Sequence, residues 1–242
     1  MSYLSTVMNV GKWILVCTVA TGCQTAVDSE SGVGVKVFQE DGTLDDIKFD
    51  GNAPGATLPV DRDRRGVEIE WGDGGPRKFA QVFTEKFATD LPTLDRSPSV
   101  RMFGVRGGMR GAIGLGNKHD DLTYRLPWAI DAALIAGEEN GADPDIILYG
   151  EFAADFGFGL HWLGFTPSFG LAVSNVTGKL IPPYSGPGAP ASTHEAELGI
   201  SGISTGFYFE IGFKHRKHPW YAQFRTQTGD YENTTMGIGF RF

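Results

Sequence analysis

Apolar and polar residues alternate along most of the second half of the chain. Phe103, Val105 and Met109 fall on one side of a stretch whose other side carries Arg106 and Arg110. Side chains of a β-strand point alternately to opposite faces, whereas those of a helix repeat every 3.6 residues. The pattern therefore predicts β-strands, and it predicts long ones.

Nine strands can be placed from Val67 onward, and a tenth precedes them where Val33, Val35 and Val37 alternate. The polar, Gly- and Asp-rich stretch 39–65 separates this tenth strand from the others and is expected to lie outside the strands. A shift of phase near Ile200 is interpreted as a β-bulge. Ten strands are slightly favoured, and eight remain if the weak pair 33–38 and 67–72 is omitted. The predicted spans are 33–38, 67–72, 78–88, 100–116, 121–137, 145–160, 165–177, 196–214, 217–228 and 233–242.

The composition of the two strand faces indicates which side meets water. No lysine occurs between Lys118 and Lys179, and the less apolar face holds Gly, Ala and Thr with single charges of both signs. Such a face suits a crowded barrel interior, while the Phe- and Leu-rich face suits lipid. We therefore predict an all-β fold, a closed antiparallel transmembrane β-barrel of 8–10 strands. The charged residues predicted to face its lumen are Arg106, Arg110, Arg125, Asp131, Glu151, Asp155, Glu210, Arg225 and Arg241.

The N-terminus has the layout of a secretory signal peptide: Lys12, then the apolar run 13–20, then Thr21-Gly22-Cys23. The segment Ala20–Cys23 resembles the bacterial lipobox, which implies lipid attachment at Cys23 and, with Gln24 next to it, delivery to the outer membrane. Cleavage by the ordinary signal peptidase without a lipid is the alternative, and Met8 is an alternative start to Met1. The expected organisation is a signal peptide (1–22), a polar tether (23–32) and a barrel domain (33–242).

The last eight residues carry the most specific motif. Thr235, Gly237, Phe240 and Phe242 follow the pattern polar-x-Gly-x-x-aromatic-x-aromatic. This pattern resembles the assembly signal that ends bacterial outer-membrane proteins. The chain thus resembles a small outer-membrane β-barrel of OmpA/OmpX-type architecture. The resemblance implies outer-membrane localisation, contact with outer-membrane lipids and the barrel-assembly machinery as partners, and both termini on the periplasmic side.

Charge and cysteine content narrow the function classes. The 21 Lys and Arg against 29 Asp and Glu give a net charge of −8, which argues against a nucleic-acid partner. Both cysteines, Cys17 and Cys23, precede the predicted barrel domain, so a disulfide scaffold is excluded. No apolar run is long enough for a conventional transmembrane helix.

No catalytic or metal-binding signature emerges. The five histidines lack a His-x-Ser neighbourhood, and Thr193-His194-Glu195 is the nearest approach to a hydrolytic arrangement. His215 and His218 supply two potential metal ligands, too few for a site. We expect a non-enzymatic barrel without metal or cofactor, acting in a structural, surface-interaction or small-solute pore role. The alternatives are a lipid-anchored soluble β-barrel that binds an apolar ligand and an outer-membrane lipid-modifying enzyme.

Overall fold

A computed structural model describes residues 32–50, 56–73, 75–89, 99–115, 122–139, 146–181, 198–215 and 217–242. The predicted signal peptide and almost all of the predicted tether lie outside these residues, so both remain predictions. Within the described part of the chain, no helix is long and apolar enough to cross a membrane. The strands are β1 (Gly32–Asp50), β2 (Ala56–Gly72), β3 (Arg77–Thr89), β4 (Ser99–Leu115), β5 (Leu122–Glu139), β6 (Ile146–Trp162), β7 (Phe165–Ile181), β8 (Leu198–Lys214), β9 (Trp220–Gly229) and β10 (Tyr231–Arg241).

The ten strands form one closed antiparallel barrel, which confirms the predicted fold class. Each strand pairs with its neighbours in the chain, and β10 pairs with β1 from Gly34↔Arg241 to Leu44↔Tyr231. The backbone N–H of Phe242 also donates to the carbonyl of Val33 (2.8 Å). Closure matters because every strand then has a partner on both sides, and no open sheet edge is left. We call the end of the barrel that holds Gly32 and Phe242 the terminal rim.

The prediction for 39–65 was wrong. β1 continues to Asp50 and β2 begins at Ala56, so most of this stretch is strand. Both faces are mainly polar there: Asp41 and Asp63 point outward, while Glu40 and Arg62 are buried inside beside the apolar Leu44 and Val60. Polar and apolar residues therefore do not alternate along this stretch, although successive side chains still point alternately inward and outward.

The predicted bulge near Ile200 is also wrong. The β7–β8 register runs without a shift from Phe165↔Phe213 to Leu180↔Leu198. The register shift lies instead in β1, between Leu44 and Ile47. Beyond it, β1 pairs directly with β8 from Lys48↔Ser201 to Asp50↔Gly199, above the short β9–β10 hairpin.

The outer wall carries an apolar band. Large side chains on it are well exposed, among them Phe207 (70%), Phe169 (60%) and Ile238 (59%). Away from the terminal rim the outer face of the first strands becomes polar, with Asp61 and Arg65 exposed. An apolar belt on the outside and charges inside is the reverse of a soluble barrel.

The β6–β7 turn at the terminal rim is built by Leu163 and Gly164, with φ of 52° and 91°. Asn or Gly is usual in the first of these positions because other residues pay a steric cost at positive φ. The sequence instead places there a leucine that is 37% exposed. The backbone N–H of Lys214 donates to the carbonyl of Gly164 (2.8 Å), so this turn and the end of β8 are held together.

Candidate functional site

The lumen of the barrel holds many charged side chains beside a buried apolar cluster that includes Leu44, Val60, Met102 and Ile135. Strand alternation points Arg62 and Arg64 of β2 inward, and their side chains are 1% and 0% exposed. Burying a charged side chain without a partner costs free energy, so the charged side chains inside the barrel must form ion pairs. We call the group around these two arginines the central cluster: Glu40, Arg62, Arg64, Glu85, Arg106, Asp131 and Glu151.

Glu151 of β6 is the acceptor on which the arginines of the central cluster converge. One of its oxygens, Oε2, accepts from Nη2 of Arg62 (2.9 Å), Arg64 (2.6 Å) and Arg106 (3.3 Å). The Arg62 and Arg64 contacts connect β2 to β6, which lie four strands apart in the ten-stranded barrel. These side chains therefore reach across the lumen rather than along its wall.

A second acceptor, Glu85 of β3, also pairs with Arg62 and Arg64. It accepts from Nε of Arg62 (2.9 Å) and Nε of Arg64 (2.6 Å), and the Tyr149 hydroxyl donates to it as well. The Tyr231 hydroxyl donates to Glu40 (2.5 Å). The carboxylates thus take hydrogen bonds from phenols as well as guanidinium groups, which satisfies lone pairs that water cannot reach.

Aromatic rings pack around the central cluster. The guanidinium of Arg64 lies over the Phe83 ring at 5.0 Å, and that of Arg62 lies over Tyr231 at 5.4 Å. A side chain at Gly104 would collide with the Phe83 ring, so glycine there makes room for it. Rings stacked on cations fill the space that ion pairs alone would leave to solvent.

Nearer the terminal rim lies a second network, formed by Lys36, Glu68, Glu70, Arg77, Arg110 and Arg241. Lys36 pairs with Glu68 at 3.0 Å, and the Arg110 guanidinium pairs with the same carboxylate. Nη2 of Arg241, beside the C-terminus, donates to Glu70 (3.0 Å).

A third network lies on the other side of the lumen, between β6 and β9. Arg225 makes a two-pronged contact with Asp155, with Nη1–Oδ2 at 2.5 Å and Nη2–Oδ1 at 3.0 Å. Its guanidinium lies over the Tyr208 ring at 4.4 Å, and Glu210 is 4.0 Å away.

The structure brings the sequence-predicted lumen residues together in these networks. Arg106, Asp131 and Glu151 join the central cluster; Arg110 and Arg241 the network near the rim; and Asp155, Glu210 and Arg225 the third network. Arg125 is half-buried on the same face of β5 as Asp131.

Sequence reasoning missed the charges of β1–β3. For Glu68 and Glu70 a signal was available, since they alternate with Val67, Ile69 and Trp71. For Arg62 and Arg64 no such signal exists, because their neighbours Asp61, Asp63 and Arg65 are charged as well. The missed residues are Lys36, Glu40, Arg62, Arg64, Glu68, Glu70, Arg77 and Glu85.

The C-terminal motif residues lie on β10 and just after it. Phe240 (53% exposed) and Phe242 (81% exposed) point outward, and Thr235 is half-buried opposite Glu40. Gly237 points inward, and a Cβ there would lie 2.7 Å from Cδ of Lys36. Glycine therefore leaves room for the lysine that pairs with Glu68.

The remaining candidates for catalysis or metal binding are the histidines His194, His215 and His218. His194 and its neighbours lie outside the described residues. The rings of His215 and His218 lie in contact in the β8–β9 turn, 4.6 Å apart between centroids and tilted by 36°. Among the residues that the structure describes, no group of three or more His, Cys, Asp or Glu side chains is placed to hold a metal ion.

An open, polar groove of about 650 Å³ lies at the far end from the terminal rim. Exposed acids and hydroxyls of β1, β2, β9 and β10 line it, including Asp61, Glu232 and Thr228. It has no apolar wall suited to a hydrocarbon ligand.

Comparison with known proteins identifies no family for this chain. No protein-family model matches the chain, and no curated protein does. Solved structures that resemble it include the translocator domain of autotransporter NalP from Neisseria meningitidis (TM-score 0.46, 9% identity, covering 100% of this chain and 98% of that one). The transport unit of the autotransporter AIDA-I from Escherichia coli aligns with a TM-score of 0.43 and 10% identity over 96% of this chain and 98% of that one. The outer membrane protease OmpT from Escherichia coli aligns with a TM-score of 0.42 and 10% identity over 89% of this chain and 100% of that one.

Proposed function

We propose that this chain is an outer-membrane β-barrel with a closed lumen, whose role is structural or one of surface interaction rather than solute passage. The barrel closes without an open edge, and its outer wall carries an apolar band above which the first strands become polar. Lipid is the solvent that suits such a wall. Phe240 and Phe242 of the predicted assembly signal point outward and are exposed, so another protein can contact them.

The proposal of a closed lumen rests on one observation: Arg62 and Arg64 reach from β2 to Glu151 on β6. These side chains are at most 2% exposed, although they lie inside a barrel with two ends. An open water channel along the axis would leave them accessible. Barrels of about this size have interiors that side chains can fill.

We expect no steady ion conductance from the refolded chain in a planar lipid bilayer. The matched control is a charge-balanced variant, Arg62→Ser, Arg64→Ser, Glu85→Ser and Glu151→Ser, which removes two cations and two anions from the lumen. We expect this variant to pass more current than the unmodified chain, because four of the side chains that cross the lumen are shortened. A heat-dependent shift in gel mobility reports whether each variant has folded.

Steady single-channel currents from the unmodified chain, with the same conductance in the variant, would contradict the closed lumen and favour the pore role. The soluble-barrel alternative makes a different prediction. A barrel of that kind would stay in solution without detergent and would not associate with the bilayer.

A further inference from the structure

The β8–β9 turn at the terminal rim is the most basic segment of the chain. Lys214, His215, Arg216, Lys217 and His218 are consecutive, and no acidic residue occurs between Glu210 and Asp230. The segment is therefore a local concentration of basic side chains in a chain whose net charge is −8.

Hydrogen bonds to His215 hold the backbone of the turn. Nδ1 of His215 accepts the backbone N–H groups of Lys217 (3.2 Å) and His218 (3.0 Å). The backbone N–H of His215 donates to the carbonyl of Trp220 (3.2 Å). Lys217 and His218 are left exposed at the tip.

Aromatic rings adjoin the turn on the outer wall. His215 stacks on Trp220 (5.3 Å between ring centroids), Trp220 contacts Phe213 (5.2 Å), and Phe213 contacts Phe165 (4.7 Å). Phe240 continues this surface, since it is the β10 partner of Trp220. The turn is thus positively charged at its tip and apolar directly beside it.

We propose that this turn binds the headgroup of an anionic phospholipid, with Lys217 and His218 at the phosphate and the Trp220–Phe213–Phe165 rings along the adjoining acyl chain. The inference rests on the proposed function, since it needs the apolar band to lie in a bilayer. Aromatic residues favour the interfacial level of a membrane, and basic residues near it attract anionic lipids. A free phosphate would meet the cations but would leave the rings uncovered. The exposed Leu163 of the neighbouring turn is a further apolar contact at the same rim.

The test uses the full chain folded in zwitterionic detergent and native mass spectrometry, with phosphatidylglycerol and phosphatidylcholine of the same acyl chains as probes. We expect phosphatidylglycerol to bind at least fivefold more tightly than phosphatidylcholine. Lys217→Gln with His218→Gln should remove most of that preference. The matched control is Lys86→Gln, which removes an exposed lysine of β3 toward the opposite end of the barrel and should leave the preference within twofold.

Several results would overturn the proposal. They are equal binding of the two lipids, an unchanged preference in the Lys217/His218 variant, and an equal loss in the β3 control. Displacement of the lipid by inorganic phosphate at the same concentration would assign the turn to a free anion instead. These results differ from a failure of the proposed function, in which the chain would show no heat-dependent mobility shift and would not insert into vesicles.

Discussion

Replacing Glu151 with Gln should lower the free energy of unfolding by about 3 kcal/mol, as expected when one partner is removed from a buried ion network. Gln has almost the same shape as Glu, so the change removes a charge without leaving a cavity. Three guanidinium groups, those of Arg62, Arg64 and Arg106, then lose the carboxylate they share. Urea titration of the barrel in lipid vesicles, followed by tryptophan fluorescence and gel mobility, measures the effect.

The control lies on β2, between the two central arginines. Asp63 pairs with Arg65 at 2.9 Å, but this pair is on the outer face, and the Arg65 side chain is 63% exposed. Asp63→Asn should therefore change the unfolding free energy by less than about 1 kcal/mol, the usual range for surface pairs. Equal effects of Glu151→Gln and Asp63→Asn would mean that water reaches the central cluster, contrary to a closed lumen.

Replacing Leu171 with Arg should destabilise the vesicle-inserted barrel by about 2–4 kcal/mol, the cost of a cation near the middle of a bilayer. Leu171 lies on the outer face of β7 and is 55% exposed, so no internal packing explains a loss. In a soluble barrel the same change would replace one exposed residue by another and cost less than about 0.5 kcal/mol. The measurement is urea-induced unfolding from vesicles of fixed composition.

Thr228→Arg provides the matched substitution outside the apolar band. Thr228 is exposed next to the β9–β10 turn, where the groove is polar. We expect little change in stability there. A similarly small effect at Leu171 would count against lipid contact and in favour of the soluble-barrel alternative.

The sequence predicts the fold well wherever one strand face is apolar. On β4, β5 and β6 the Phe-, Leu- and Ile-rich positions point outward, and the predicted spans end within a few residues of the observed ones. The same rule fails on β1 and β2 beyond the apolar band. There the outward Asp41 and Asp63 face water and the inward Glu40 and Arg62 face other charges, so neither strand face is apolar.

The pairing within the lumen could not be predicted because it depends on distances across the barrel. Arg64 and Glu151 are 87 positions apart in the chain yet 2.6 Å apart at their closest atoms. Alternation indicates which residues point inward, but the register of the intervening strands decides which of them meet. The number and offset of those strands are properties of the closed barrel, not of any single segment.

The most direct test of the membrane-spanning, closed barrel is a nitroxide scan of β7 in lipid vesicles, in a Cys17→Ala, Cys23→Ala background. Single labels at Phe169, Leu171 and Val173 should collide freely with oxygen, which concentrates in lipid, and rarely with a water-soluble nickel complex. Labels at Ser168, Ala172 and Ser174 should be poorly accessible to both reagents, because these inward side chains are buried. Ready access of the nickel complex to the outward positions would contradict lipid contact, and ready access to the inward ones would contradict a closed lumen.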